Sequence, residues 1–177
     1  MFKALARKKA TENVRERASK ESQRGRLLYQ QQNDSEAERL FRQASTRLEE
    51  SFGKEVPDTL MSIFWLGRTL LGQKKYKDAE ALLREATDGQ EIVLGTEHEH
   101  TLYSKSQLGR ALYELEKYSE AEIVFQQLTE GYKNLFGEDN KDVLNNQHWQ
   151  GCTLYEQGKF SEAERLLQQA AQGREKI

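Results

Sequence analysis

Proline and cysteine are nearly missing from this 177-residue chain: each occurs once, as Pro57 and Cys152. A single cysteine excludes an intramolecular disulfide and agrees with a reducing compartment. One proline and 12 glycines leave little material for long irregular loops. Strong charge of either sign is absent. The 27 basic and 29 acidic residues give a formal net charge of −2, without the positive excess that nucleic-acid binding calls for. No apolar run approaches the roughly 18 residues that span a bilayer. With three histidines beside the one cysteine, metal ligands and nucleophiles are scarce, and no glycine-rich phosphate loop is present. These absences point away from membrane, nucleic acid, metal and cofactor, and toward a cytoplasmic protein that is not an enzyme.

What is present is a repeat. LGRTL at 66–70 returns as LGRAL at 108–112, 42 residues on, with QGCTL at 150–154 and RGRLL at 24–28 in the same register. Gly25, Gly67, Gly109 and Gly151 therefore recur together with Ala37-Glu38, Ala79-Glu80, Ala121-Glu122 and Ala163-Glu164. Phe52-Gly53, Leu94-Gly95 and Phe136-Gly137 close the first three units. Three independent markers on one period identify a repeat architecture. A hydrophobic share of 36% beside 32% charged residues suits a thin array with much surface better than a compact globule.

Each unit reads as two helices. Ile63, Leu66, Gly67 and Leu70 share a helical stripe. A glycine in that stripe costs about 1 kcal/mol of propensity, and its recurrence predicts close approach of a neighbouring helix. A polar turn follows, as at Gln73-Lys74-Lys75. The second helix is expected to open on a capping box, Ser35 to Glu38, Ser119 to Glu122 and Ser161 to Glu164, with Tyr118 stapled onto Ile123. Gly53, Gly95 and Gly137 are expected to end it as C-caps, and Pro57 suits the first turn of the following helix.

This pattern of a glycine in the first helix, then an aromatic, an alanine and a large apolar residue in the second, resembles the tetratricopeptide repeat. More closely it is similar to the 42-residue variety of kinesin light chains and of the repeat tails of fungal and bacterial NTPase receptors. That variety has an LGxxHPxTL-like junction, seen here as Leu94-Gly95-Thr96-Glu97-His98-Glu99-His100-Thr101-Leu102, with Glu99 in the proline's place. Elsewhere Val56 replaces the histidine before Pro57, and Asn140-Lys141 replaces both residues. The resemblance implies an all-α, right-handed α-solenoid of about four tetratricopeptide-type helix pairs. Residues 1–16 form a basic N-terminal segment or first helix. The array covers 17–177 in units of about 17–58, 59–100, 101–142 and 143–177.

The resemblance also implies function: a protein-interaction scaffold that holds a peptide in a concave groove lined by the first helices. A second stripe beside the core stripe falls there: Ser22, Arg26 and Tyr29; Phe64, Arg68 and Leu71; Ser106, Arg110 and Tyr113; His148, Cys152 and Tyr155. Tyr103 and Asn145, at the family's groove-facing position, extend it. Three arginines in equivalent places suit an acidic segment, with an apolar anchor for Phe64 and Leu71. Glu114 stands four residues beyond Arg110, whereas position 72 is glycine, which leaves Arg68 as the arginine expected to be free. The same row read without a ligand is a structural ladder. Alternatives for the whole are a self-assembling repeat module or a fragment of a larger repeat-tailed receptor. Leu166, Leu167 and Ala170 have no following helix to pack on, which makes the C-terminal repeat a route to a homo-oligomer. His148 and Cys152 lie four apart on one helix, yet no motif supplies an orienting group or an oxyanion pocket. His98 and His100 read as a polar junction, not as metal ligands.

Overall fold

The computed structural model describes residues 2–138 and 140–175, with side chains from Lys8 onward. Eight helices and no strand occur among the described residues: α1 (Phe2–Gln30), α2 (Asp34–Phe52), α3 (Pro57–Gly72), α4 (Tyr76–Leu94), α5 (Glu99–Glu114), α6 (Tyr118–Phe136), α7 (Lys141–Glu156) and α8 (Phe160–Arg174). The class is the expected one, an all-α α-solenoid type built from helix pairs. Two compact units are formed, Met1–Val93 on α1–α4 and Leu94–Ile177 on α5–α8. The basic segment before residue 17 is part of α1, which at 29 residues is the longest helix. No helix among the described residues is long and apolar enough to cross a membrane.

One glycine contact closes each pair. A Cβ added at Gly25 would stand 2.9 Å from the Phe41 ring, at Gly67 2.9 Å from Leu83, at Gly109 2.8 Å from Phe125, and at Gly151 2.8 Å from Leu167. Phe41, Leu83 and Phe125 are fully buried. Burying such a side chain contributes about 1.5–3 kcal/mol, which outweighs the glycine's cost in helix propensity of about 1 kcal/mol. A second glycine register, on the second helices, repeats the device in reverse. Gly89, Gly131 and Gly173 receive Leu60, Leu102 and Leu144. The first pair departs from it: Ala18 stands at the leucine register and Arg47 at the glycine register. Arg47 turns to Glu21 on α1, Nη2 to Oε1 at 3.1 Å.

The turn inside each pair is built by backbone. Gln32, Lys74, Glu116 and Gly158, 42 residues apart, all have φ between 60° and 77°. The next residue's N–H donates back to a leucine carbonyl, as in Lys75 to Leu70 and Lys117 to Leu112, both 2.9 Å. This is the Schellman arrangement. The N-cap follows directly on this left-handed residue, two residues before the expected serine. Ser35, Ser119 and Ser161 therefore occupy the second helical position, and the capping box does not form. Asn33 caps α2, accepting from Glu36 N, while Lys117 and Lys159 precede α6 and α8 with no side-chain cap. Tyr118 lies edge-on to Tyr113 with centroids 5.6 Å apart, and its expected staple partner Ile123 is 56% exposed.

Two of the three glutamates of those Ser-x-x-Glu runs, Glu38 and Glu122, serve the next pair instead. Glu38 receives Lys75 Nζ at 2.9 Å, and Glu122 receives Lys159 Nζ at 2.8 Å. Gln73 Nε2 donates to Asp34 O at 3.1 Å, and Gln157 Nε2 to Tyr118 O at 3.2 Å. At the ends of helices the glycines act as expected: Gly53, Gly95 and Gly137 have φ of 89°, 98° and 84°. His98 and Asn140 prove equivalent as N-caps. His98 Nδ1 accepts from His100 N at 3.1 Å, and Asn140 Oδ1 from Asp142 N at 2.7 Å. Val56, the third residue of this register, has no side-chain bond, and Pro57 starts α3 in its place. In the last described pair, Ala170 is 1% exposed, Leu167 covers Gly151, and Leu166 and Leu167 are half-buried.

Two outcomes follow for stability. Gly109→Leu should cost about 1–3 kcal/mol by overpacking against Phe125 and Val124, read as a lower melting temperature. Glu38 is held down to about 2 by its hydrogen bonds to Lys75 and then Arg42. Its contribution is therefore present above the unfolded value near 4.5 and lost as pH falls from there toward about 2. Urea unfolding should show Glu38→Gln less stable than wild type by about 1 kcal/mol at neutral pH. That gap should close through this acid window.

Candidate functional site

A groove opens in the first unit between α1 and α3. On α1, Arg15, Ser19, Ser22 and Arg26 follow spacings of four, three and four, which keep them on one face over three turns. On α3, Asp58, Met61, Ser62 and Trp65, at spacings of three, one and three, line the facing side over two turns. These residues, with Glu16, Ala18 and Leu48, line an open cavity of about 480 Å³. Its floor is low because Ala18 occupies the leucine register. At the 84-residue offset, the second unit has Leu102 and Tyr103 where the first has Ala18 and Ser19.

Charge is distributed unevenly along this groove. At one end Arg15 stands 3.7 Å from Asp58, with both side chains more than half exposed. Its guanidinium lies 4.6 Å from the centre of the Phe52 ring. Glu16 is paired with Lys20 at 2.6 Å, and that hydrogen bond holds its carboxyl below the usual range. At the other end Arg26 is exposed, 5.8 Å from the Trp65 ring centre. It forms no ion pair among the described residues. Such a cation beside an aromatic face gains about 0.5–1 kcal/mol.

Trp65 organises this end. It stacks on Phe41 at 5.8 Å and 15°, takes the edge of Tyr29 at 6.3 Å, and meets Arg68 at 4.9 Å. Arg68 also lies 4.9 Å from the Tyr29 ring centre. Arg68 is thus the engaged arginine, contrary to expectation, and Arg26 is the available one. The second unit repeats the cluster with Trp149 on Phe125 at 6.2 Å and 14° and on Tyr113 at 5.5 Å. Arg110 lies 5.3 Å from Trp149, and its Nη1 donates to Gln107 Oε1 at 3.2 Å.

The other expected site residues divide by burial. Phe64 and Leu71, expected as apolar anchors, are 2% and 7% exposed. They are core residues and offer no ligand surface. Tyr103, Ser106, Asn145 and His148 are half-buried in the second unit, with Asn145 accepting from Arg174 at 3.1 Å. Tyr155 is 56% exposed and lies edge-on to Phe160. Spacing along the first helices missed Arg15, Met61 and both tryptophans. The signal was available for the tryptophans: Trp65 and Trp149 are 84 residues apart, twice the repeat.

His148 Nε2 and Cys152 Sγ are 3.7 Å apart. Burial, then Glu156, pushes the thiol up; burial, then Arg174, pushes the imidazole down. Both shifts favour the neutral forms and oppose a thiolate–imidazolium pair. Among the described residues, no group of three or more His, Cys, Asp or Glu could hold a metal ion. Alkylation of Cys152 by iodoacetamide should be slower at neutral pH than that of a free thiol, rise only in alkali, and be little changed by His148→Ala. A rate already at plateau near neutrality would show an activated thiolate.

A family profile described as "Tetratricopeptide repeat" matches residues 16–92, 65–134 and 101–176. No curated protein matches the chain. Among solved structures the fold is similar to that of a Podosopora anserina protein described as a kinesin light chain with nearly identical TPR-like repeats. The TM-score is 0.75 at 23% identity, covering 90% of this chain and 76% of that one. BtubC (BKLC) from P. vanneervenii gives a TM-score of 0.81 at 18% identity, covering 89% of this chain and 63% of that one. A Rap protein complexed with Competence and Sporulation Factor gives 0.73 at 15% identity, covering 98% of this chain and 48% of that one. This chain thus spans less than two thirds of the last two, and at these identities the likeness is one of fold.

Proposed function

We propose that this chain, which belongs to the tetratricopeptide-repeat family, is a protein-interaction module that holds a peptide segment of its partner between α1 and α3. The observation that carries this reading is Arg26, an exposed guanidinium with no carboxylate partner among the described residues, at one end of an open, tryptophan-walled groove. The three turns from Arg15 to Arg26 rise about 16 Å. An extended peptide advances about 3.3 Å per residue, so about five residues lie along the groove. One carboxylate side chain answers Arg26. One apolar side chain rests on Met61 and Trp65, where a methionine and an indole give a broad apolar wall. At the far end Arg15 is already answered by Asp58, so a second acidic residue gains little there. The required peptide is therefore short, with one acidic position and one apolar anchor, not uniformly acidic.

The test is a fluorescence titration with labelled peptides of this composition at two salt concentrations. Arg26→Glu should weaken binding about tenfold or more, near 1.4 kcal/mol, and the loss should shrink as salt rises. Ser19→Tyr, which introduces the side chain found at the equivalent Tyr103, should block the groove without charge change. Arg68→Glu should act mainly on stability, through Trp65 and Tyr29. Equal affinity for wild type, Arg26→Glu and Ser19→Tyr would reject the groove as the site.

A further inference from the structure

In the first unit the chain seats a guanidinium of its own. Arg15 on α1 lies 4.6 Å from the centre of the Phe52 ring and 3.7 Å from Asp58. Under that cover Phe52 is half-buried, and it packs on Ala18 and Leu48. An aromatic face and one carboxylate thus hold the planar cation from two sides.

The second unit keeps the seat and lacks the cation. The two units share their internal geometry: Trp65 stacks on Phe41 at 15° and Trp149 on Phe125 at 14°. At the 84-residue offset Phe136 stands for Phe52 and Asp142 for Asp58, but Glu99 stands for Arg15. An ion pair in one unit is therefore two carboxylates in the other. Phe136 stacks on Tyr132 at 6.1 Å and is 48% exposed. Glu99 and Asp142 are both exposed, and neither forms an ion pair among the described residues. Burial raises the Tyr132 hydroxyl well above its ordinary value, and Asp142, Tyr103 and Glu99 add to the rise. Both carboxylates therefore lie near the ring on which Phe136 stacks. Arg174 reaches α7 one turn further on, where it donates to Asn145 Oδ1 at 3.1 Å and leaves Asp142 unpaired. An acid in the first turn of a helix is favourable by itself, which accounts for Glu99 and Asp142 singly. It does not account for a phenyl ring left half open at the register where the first unit covers it.

We propose that the second unit binds an arginine side chain of a partner polypeptide, with its guanidinium on the Phe136 ring and its donors shared by Asp142 and Glu99. The partner's guanidinium takes the place that Arg15 takes in the first unit. Two carboxylates make the seat net negative, so it selects a cation. The aromatic face favours a planar, weakly hydrated guanidinium over a compact, strongly hydrated ammonium. All the residues involved lie on α5, α6 and α7, and the inference does not rest on the groove of the first unit.

The probe is N-acetyl-arginine amide, with N-acetyl-citrulline amide as its uncharged match and N-acetyl-lysine amide as the ammonium. Backbone amide shifts of the full isotope-labelled chain, followed at constant salt, read the binding. The arginine probe should give saturable shifts at Glu99, Phe136 and Asp142, and citrulline none. It should bind about threefold or more tighter than the lysine probe. Glu99→Arg should fill the seat from within the chain, as Arg15 does, and abolish those shifts with circular dichroism unchanged. The citrulline comparison is made on the wild-type chain and needs no variant to fold. No saturable shift at these three amides, equal affinity for citrulline or lysine, or undiminished shifts in Glu99→Arg would each overturn the proposal.

Discussion

In each of the four pairs a large side chain of the second helix approaches the backbone of the first, where only glycine leaves room. Phe41, Leu83, Phe125 and Leu167 need Gly25, Gly67, Gly109 and Gly151. The opposite contact, Leu60, Leu102 and Leu144 onto Gly89, Gly131 and Gly173, locks three pairs at their other ends. With both contacts made, the two helices of a pair cannot slide or rotate against one another without overlap. Within each unit the neighbouring pair packs against this fixed geometry, because interiors pack at crystal-like density and transmit small displacements.

The functional consequence comes from the pair that breaks the second rule. With Ala18 in place of leucine and Arg47 in place of glycine, α1 keeps its Gly25 contact but loses bulk lower down. The Arg47 side chain is accommodated by a partly buried ion pair with Glu21. The volume that leucine would fill becomes the floor of the groove. One exchange of residue size thus leaves an open groove at this register of the first unit. The equivalent place in the second unit stays filled by Leu102, which is 2% exposed.

The tryptophans show how a single side chain links packing to electrostatics. Trp65 closes the α2–α3 contact through Phe41 and at the same time supplies the face for two arginines. Arg68 is held between Trp65 and Tyr29, so its charge is part of the scaffold. Arg26 touches the same ring from the groove side and keeps its hydrogen-bond donors. Like charges near one aromatic are tolerated because each faces the negative π-cloud and solvent.

The sequence by itself determined the repeat length, the number of helix pairs, the glycine contacts and the C-capping glycines. Each of these is local or recurs on the 42-residue period, and a side chain's volume acts at its own register. It misplaced the start of the second helices, because the left-handed residue that sets it is a glycine in one unit only, Gly158, and is Gln32, Lys74 or Glu116 in the others. Only the tertiary structure decided which arginine is available, that Phe64 and Leu71 are core, and that the groove opens at Ala18. Those outcomes depend on residues brought close from an adjacent helix: Trp65 beside Tyr29 and Arg26, Arg47 beside Glu21, Asp58 beside Arg15. Helical spacing states which residues share a face. It does not state what the facing helix presents, and that second surface sets burial, pairing and charge.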